Sequence, residues 1–97
     1  MIEQLDVRNY PGYFGSFTRQ QAAGAIPNGA EIRKVDEEKG DATPIGTTGK
    51  VLGSLDVEKI DPSMVVRYGG RFMYFVEWSD KPGVAVAVID WKIARDI

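Results

Sequence analysis

Phe72-Met73-Tyr74-Phe75-Val76-Glu77-Trp78, followed after the turn Ser79-Asp80-Lys81-Pro82-Gly83 by Val84-Ala85-Val86-Ala87-Val88-Ile89, is the stretch that decides the fold. Side chains of a strand alternate between two faces, so Phe72, Tyr74, Val76 and Trp78 share one face and Met73, Phe75 and Glu77 the other. In the next segment Val84, Val86 and Val88 oppose Ala85, Ala87 and Ile89. A strand covered on one side only carries polar residues on its second side, and these two do not. Burying a large apolar side chain is worth about 1.5–3 kcal/mol. Leaving Met73, Phe75 and Ile89 in water therefore wastes several times that and invites aggregation. Two covers are available in the sequence. One is an aromatic N-terminal arm bearing Tyr10, Tyr13, Phe14 and Phe17. The other is a second copy of the chain, seated on the face of Met73, Phe75, Ala85, Ala87 and Ile89. A homo-oligomer is expected on this ground.

Working outward, period-2 runs of β-branched and aromatic residues dominate and helical periodicity is nearly absent. Residues 31–35 alternate as a first strand, a charged loop spans 36–48, and 49–55 form a second strand whose inner Gly53 implies a bulge. Residues 56–63 are a connector turning at Asp61-Pro62. Residues 64–68 and 71–78 read as a hairpin about Gly69-Gly70, a pair suited to a primed turn. A short 3₁₀ turn is expected at 90–92 and a last strand at 93–97. In residues 1–29, Asn9-Tyr10-Pro11-Gly12 and Pro27-Asn28-Gly29 are turns, and Thr18 to Ala23 is expected to form one or two helical turns capped by Ser16 or Thr18. The expected architecture is one all-β domain: a small SH3-like, partly open barrel of five or six strands over 30–97, with residues 1–29 as an arm packed on it. An OB-like barrel is the alternative.

Ninety-seven residues hold one small domain. A hydrophobic share of 43% with 27% charged residues is that of a folded soluble chain. The sequence has no cysteine and no histidine, which excludes disulfides, thiolate nucleophiles, Cys/His zinc sites and imidazole-based triads. Twelve basic against 14 acidic residues leave a net charge of −2, without the basic excess that phosphate contacts use, so nucleic acid is not the expected partner. No apolar run approaches the roughly 18 residues of a membrane span. Met1 to Asp6 has neither part of a signal peptide, so a cytoplasmic, non-membrane protein is expected.

Motifs that carry chemistry are sparse. Gly46-Thr47-Thr48-Gly49-Lys50-Val51 departs from a phosphate loop at Pro44 and Val51. Asp36, Glu37, Glu38 and Asp41 read as a solvated charge run rather than a hard-cation loop. Glu77, Asp80 and Asp90 lie near aromatics, but Glu77 and Asp80 are read as opening a turn rather than as a glycosidase pair. Arg67, Tyr68, Arg71 and Trp78 cluster around Gly69-Gly70 and are the candidate surface for stacking on an anionic or single-stranded ligand.

From about Asn28 onward the chain resembles SH3-like barrels and, more loosely, the small plasmid-borne type II dihydrofolate reductases. The resemblance rests on Asn28 to Lys34, Gly49 to Gly53, Tyr74 to Glu77 and Pro82-Gly83-Val84. It implies the barrel fold and a tendency to assemble, since that family works as a tetramer around a pore. The family binds folate and NADPH through a Val-Gln-Ile-Tyr strand after its Pro-Gly turn. The matching Val84-Ala85-Val86-Ala87-Val88 lacks the glutamine and the tyrosine, so no catalytic residue is carried over. The expected function is a self-associating binding or interaction module without catalysis, cofactor or metal. An interface enzyme of the reductase kind is the first alternative and a nucleic-acid-binding barrel the second.

Overall fold

Short β-branched and aromatic runs between glycine- and proline-bearing turns form strands in the computed structural model, which describes Gln4–Asp6 and residues 19–96. The strands are β1 (Gln4–Asp6), β2 (Glu31–Lys34), β3 (Thr48–Asp56), β4 (Phe72–Trp78), β5 (Val84–Ile89) and β6 (Ile93–Arg95). Two short helices, α1 (Val57–Ile60) and α2 (Ser63–Tyr68), stand between β3 and β4, and a 3₁₀ turn (Asp90–Lys92) joins β5 to β6. All pairings are antiparallel, in the order β1-β5-β4-β3-β2-β6. Strands β2 to β5 thus form a meander, and β6 returns beside β2. The sheet curls, because Val88 of β5 and Ile93 of β6 meet in one cluster with Ile32, Val51, Tyr74, Val76 and Trp78. It stays open between its edge strands β1 and β6, as a partial barrel does. The register of β3 against β4 slips between Val51 and Gly53, the bulge that Gly53 implies.

On the second face of β4 and β5, Met73 and Ile89 are covered by the segment between β3 and β4. Met73 and Ile89, each 5% exposed, form a second core with Val57 of α1, and Met64, Val65, Tyr68, Ala87 and Trp91 pack against it. Phe75 and Ala85 are buried too. This corrects the reading of 64–68 as a hairpin strand: the segment is helix, and it covers Met73 and Ile89. Met64, Val65 and Tyr68 fall on one side of a helix, whereas Val66 points out at 87% exposure. The boundaries are helical too. The Asp61 carboxylate accepts from the Ser63 N–H and hydroxyl, Pro62 precedes the first helical residue, and Gly69 closes α2 in the left-handed conformation at φ 73°. A Gly-Gly pair serves a helix stop as well as a primed turn, and tertiary burial decides between them.

Two aspartates fasten this helical insert. Asp56 caps α1 through the Glu58 N–H and takes Nε and Nη2 of Arg71 on its other oxygen, at 3.1 and 2.9 Å. Asp90 Oδ2 accepts the backbone N–H groups of Arg71 and Phe72, both at 3.0 Å. Trp91 Nε1 donates to the Tyr68 carbonyl at 3.0 Å.

Residues 19–29 lie on β3 and the open end of the main core, where Ala25 and Ile26 pack. They are turns rather than the expected helical segment, because their backbone groups are engaged elsewhere. Ser54 N–H donates to the Gln20 carbonyl, Ala22 N–H to Ser54 Oγ, and Ile26 N–H to the Tyr74 hydroxyl. Tyr10, Tyr13, Phe14 and Phe17 lie outside the described residues. Among those described, no helix is long and apolar enough to cross a membrane.

Ile89→Ala is expected to cost about 2–5 kcal/mol in urea unfolding, since it empties the middle of the second core. A Cβ at Gly70 would collide with Asp90 Oδ1 and come within 2.9 Å of Ile89 Cγ1. Gly70→Ala is therefore expected to lower the unfolding midpoint by the equivalent of about 1–3 kcal/mol.

Candidate functional site

Alternation along β2 turns Ile32 and Lys34 inward, and both are buried. A lysine there needs partners, because an unpaired buried charge costs several kcal/mol. The loop 35–47 supplies them. Lys34 Nζ donates to the Thr43 carbonyl at 2.8 Å and to Asp41 Oδ2 at 3.2 Å. Asp41 also accepts the Glu38 N–H at 3.0 Å and Lys92 Nζ at 3.0 and 2.9 Å on its two oxygens. Lys92, carried in by the 3₁₀ turn, reaches Glu38 Oε1 at 3.0 Å. The backbone holds the same arrangement: Val35 and Asp36 N–H donate to the Lys92 carbonyl, and Gly46 N–H to that of Lys34.

Asp41 is thus the hinge pin of the loop. Its own burial opposes ionisation, but the Glu38 amide and the ammonium groups of Lys92 and Lys34 outweigh it and hold the carboxyl below its ordinary value of 3.8. Burial likewise works against the charge on Lys92, and Asp41 and Glu38 overcome it, so its pKa lies above 10.5. Asp41 and Lys92 are therefore both charged through neutral pH.

Beside the cluster lies a cavity of about 100 Å³, lined among others by Lys34, Thr43, Trp78, Lys81, Val88 and Lys92. Lys81 Nζ enters from the β4–β5 turn, 3.4 Å from Thr43 Oγ1 and 3.9 Å from Asp80 Oδ2. Trp78 is 1% exposed, and its Nε1 has no hydrogen-bond partner, alone in this among the buried side-chain nitrogens and oxygens of the described residues. The indole is fixed in place: a Cβ on Gly49 would come within 2.9 Å of Cε3, the ring's other edge. An unsatisfied buried N–H costs about 1–3 kcal/mol, so this donor calls for a reason.

The structure separates the candidates chosen from sequence. Trp78 belongs to the main core, while Arg67 lies exposed on α2 and Tyr68 packs in the second core. Arg71 is exposed, paired with Asp56 and set over the Phe72 ring at 5.2 Å. Arg71 holds the Asp56 carboxyl below the usual range, and Asp56 in turn raises Arg71, which ties that arginine to the helical insert. Glu77 Oε2 accepts the Gly83 N–H at 2.7 Å, closing the β4–β5 turn as read, and Asp90 fixes backbone. The charge run 36–41 is not all solvated, since Asp41 is 13% exposed between two lysines. Sequence reasoning passed over Lys34, Lys81 and Lys92. A lysine two residues after Ile32 on the apolar side of β2 was the available signal for the first. Nothing local marks the other two. Compared with protein-family models, curated proteins and solved structures, the chain matches none.

Asp41→Asn keeps the shape but leaves Lys34 and Lys92 without their shared charge, so about 3 kcal/mol of stability should be lost at neutral pH. The folded pKa of Asp41 is depressed. Its contribution is therefore present above the ordinary carboxylate range and is lost as pH falls through the lowered folded value. Urea unfolding followed as a function of pH should show a shallower acid decline in Asp41→Asn than in the parent protein.

Proposed function

We propose that this protein is a small, non-enzymatic binding module of the cytoplasm whose recognition site is the barrel mouth beneath the loop 35–47. The observation that carries this reading is the cavity of about 100 Å³ beside that loop, which buried Lys34 and Trp78 line together with Lys81. Strand β5 presents only valine, alanine and isoleucine, which weighs against the folate and nicotinamide chemistry of the reductase kind. The acidic balance weighs against nucleic acid.

Self-association is a second reading, favoured by one observation. With Met73 and Ile89 covered, the large apolar side chains left most exposed include Val66 at 87% and Ile60 at 60%, on the neighbouring helices α2 and α1. A second copy is the occupant proposed for them.

The two indole N–H signals in a ¹⁵N–¹H spectrum test the first reading, with assignment by Trp91→Phe. In a screen of small fragments, compounds that bind are expected to move the Trp78 signal and not that of Trp91, whose N–H is committed to Tyr68. A screen in which no compound moves Trp78 defeats the mouth as the site. Sedimentation velocity tests the second: Val66→Glu is expected to shift an assembled species to monomer, and a parent protein that is monomeric throughout removes it.

A further inference from the structure

We infer that residues 41–45 form a lid on the barrel mouth, which swings on Gly40 and Gly46, is latched by the Asp41 carboxylate, and opens while the sheet stays folded. The motion involves no guest, so the lid stands or falls separately from the mouth's proposed role in binding. Gly40 and Gly46 both sit in the left-handed region at φ 94°, and a Cβ on either would meet no atom within 4 Å. Crowding therefore does not call for glycine at these two places; the backbone conformation does. Glycine also has the widest choice of other conformations, so each end of the segment is free to turn.

Apolar packing does not hold the segment between them. Among the described residues, both apolar cores are built without a side chain from 35–47. The large apolar side chains of that loop, Val35 and Ile45, are 44% and 54% exposed. The side-chain bonds that close the segment reach it at Asp41 and Thr43. Asp41 receives Nζ of Lys34 at 3.2 Å and of Lys92 at 2.9 Å. The Thr43 carbonyl receives Lys34 Nζ at 2.8 Å, and Lys81 Nζ lies 3.4 Å from the Thr43 hydroxyl. These ammonium groups are carried by β2, the 3₁₀ turn and the β4–β5 turn, all outside the segment. On opening, water solvates the ammonium groups and the carboxylate, and little apolar surface is uncovered. A region with few buried apolar contacts is where a fold opens locally.

The lid has something to cover. The cavity of about 100 Å³ is lined by Asp41, Ala42 and Thr43 of the segment and by Trp78, Val86 and Val88 of the sheet. Thr43 is buried although its neighbours Ala42 and Pro44 are exposed. Lifting the segment removes that wall and brings Thr43 into water. The base of the loop is fastened separately. Val35 and Asp36 N–H donate to the Lys92 carbonyl, and Lys34 N–H to that of Thr47. These bonds lie outside the two glycines and survive the opening, whereas the Gly46 N–H bond to the Lys34 carbonyl moves with the lid.

The chain has no cysteine, so Thr43→Cys supplies a single thiol on the inner side of the lid. Val51→Cys, in the main core, is its counterpart for global unfolding. Each is labelled with a disulfide reagent over a range of urea below the unfolding transition. Thr43→Cys is expected to label about a hundredfold faster than Val51→Cys in water. Its rate should scarcely change with urea, while that of Val51→Cys climbs, because the urea slope follows the surface exposed. Adding Lys92→Gln is expected to speed labelling of Thr43→Cys roughly tenfold, since one charged bond of the latch is lost. Amide hydrogen exchange of the parent chain covers the case in which a variant fails to fold: Gly46 should exchange without urea dependence, and Lys34 and Val35 with it. Equal urea dependence at the two cysteines, or Gly46 exchanging only with the core, overturns the lid. Labelling unchanged by Lys92→Gln overturns the latch, and Lys34 and Val35 exchanging together with Gly46 overturns the glycine hinges. A lid that opens as described while no fragment moves Trp78 upholds the inference and defeats only the binding role of the mouth.

Discussion

The covering of Met73 and Ile89 by the segment between β3 and β4 is the constraint from which the rest of the molecule follows. Met73 and Ile89 sit opposite each other in register on neighbouring strands, and both must leave water. Residues 57–68 meet that need only as helices, since Val57, Met64, Val65 and Tyr68 then converge on the same patch. The pins of the insert follow. Asp56 at the end of β3 and Asp90 at the end of β5 hold Arg71 and the start of β4. The sheet therefore enters each strand beside the insert with its backbone donors already satisfied.

The opposite end of the barrel is built on charge rather than on apolar contact. A sheet of this size that stays open between its edge strands leaves the inward side of β2 incompletely filled, and Lys34 occupies that place. The loop 35–47 closes over it through Asp41, and the 3₁₀ turn brings Lys92 to the same carboxylate. An arrangement of this kind adds little net stability compared with an apolar filling. It does set the loop in one position. The two ends of the sheet are thus of different character, one held by apolar contact and the other by ion pairs around Asp41.

The candidate surface drawn from sequence joined Arg67, Tyr68, Arg71 and Trp78 because they flank one glycine pair. That grouping depended on a hairpin. Once 64–68 is a helix, Tyr68 turns into the second core and Trp78 stays in the first. Conversely, Lys34, Asp41, Lys81 and Lys92 are spread over nearly sixty positions and share no motif. They meet because β2, β6 and the 3₁₀ turn are neighbours, a proximity that no local pattern encodes.

By itself the sequence determined strands at 31–35, 49–55, 71–78 and 84–89, each within a residue of the observed ends, the bulge at Gly53, the 3₁₀ turn and the demand for a cover on both sides of the last two long strands. These are properties of side-chain period and turn residues, and they are local. Tertiary structure alone decided what the cover is. Met64 to Tyr68 is a five-residue segment, apolar but for Arg67, too short for period to separate strand from helix, and the choice fell to whichever conformation buried Met73 and Ile89. It alone decided also which charges go inside, because the burial of a lysine is set by the partners that distant loops bring to it.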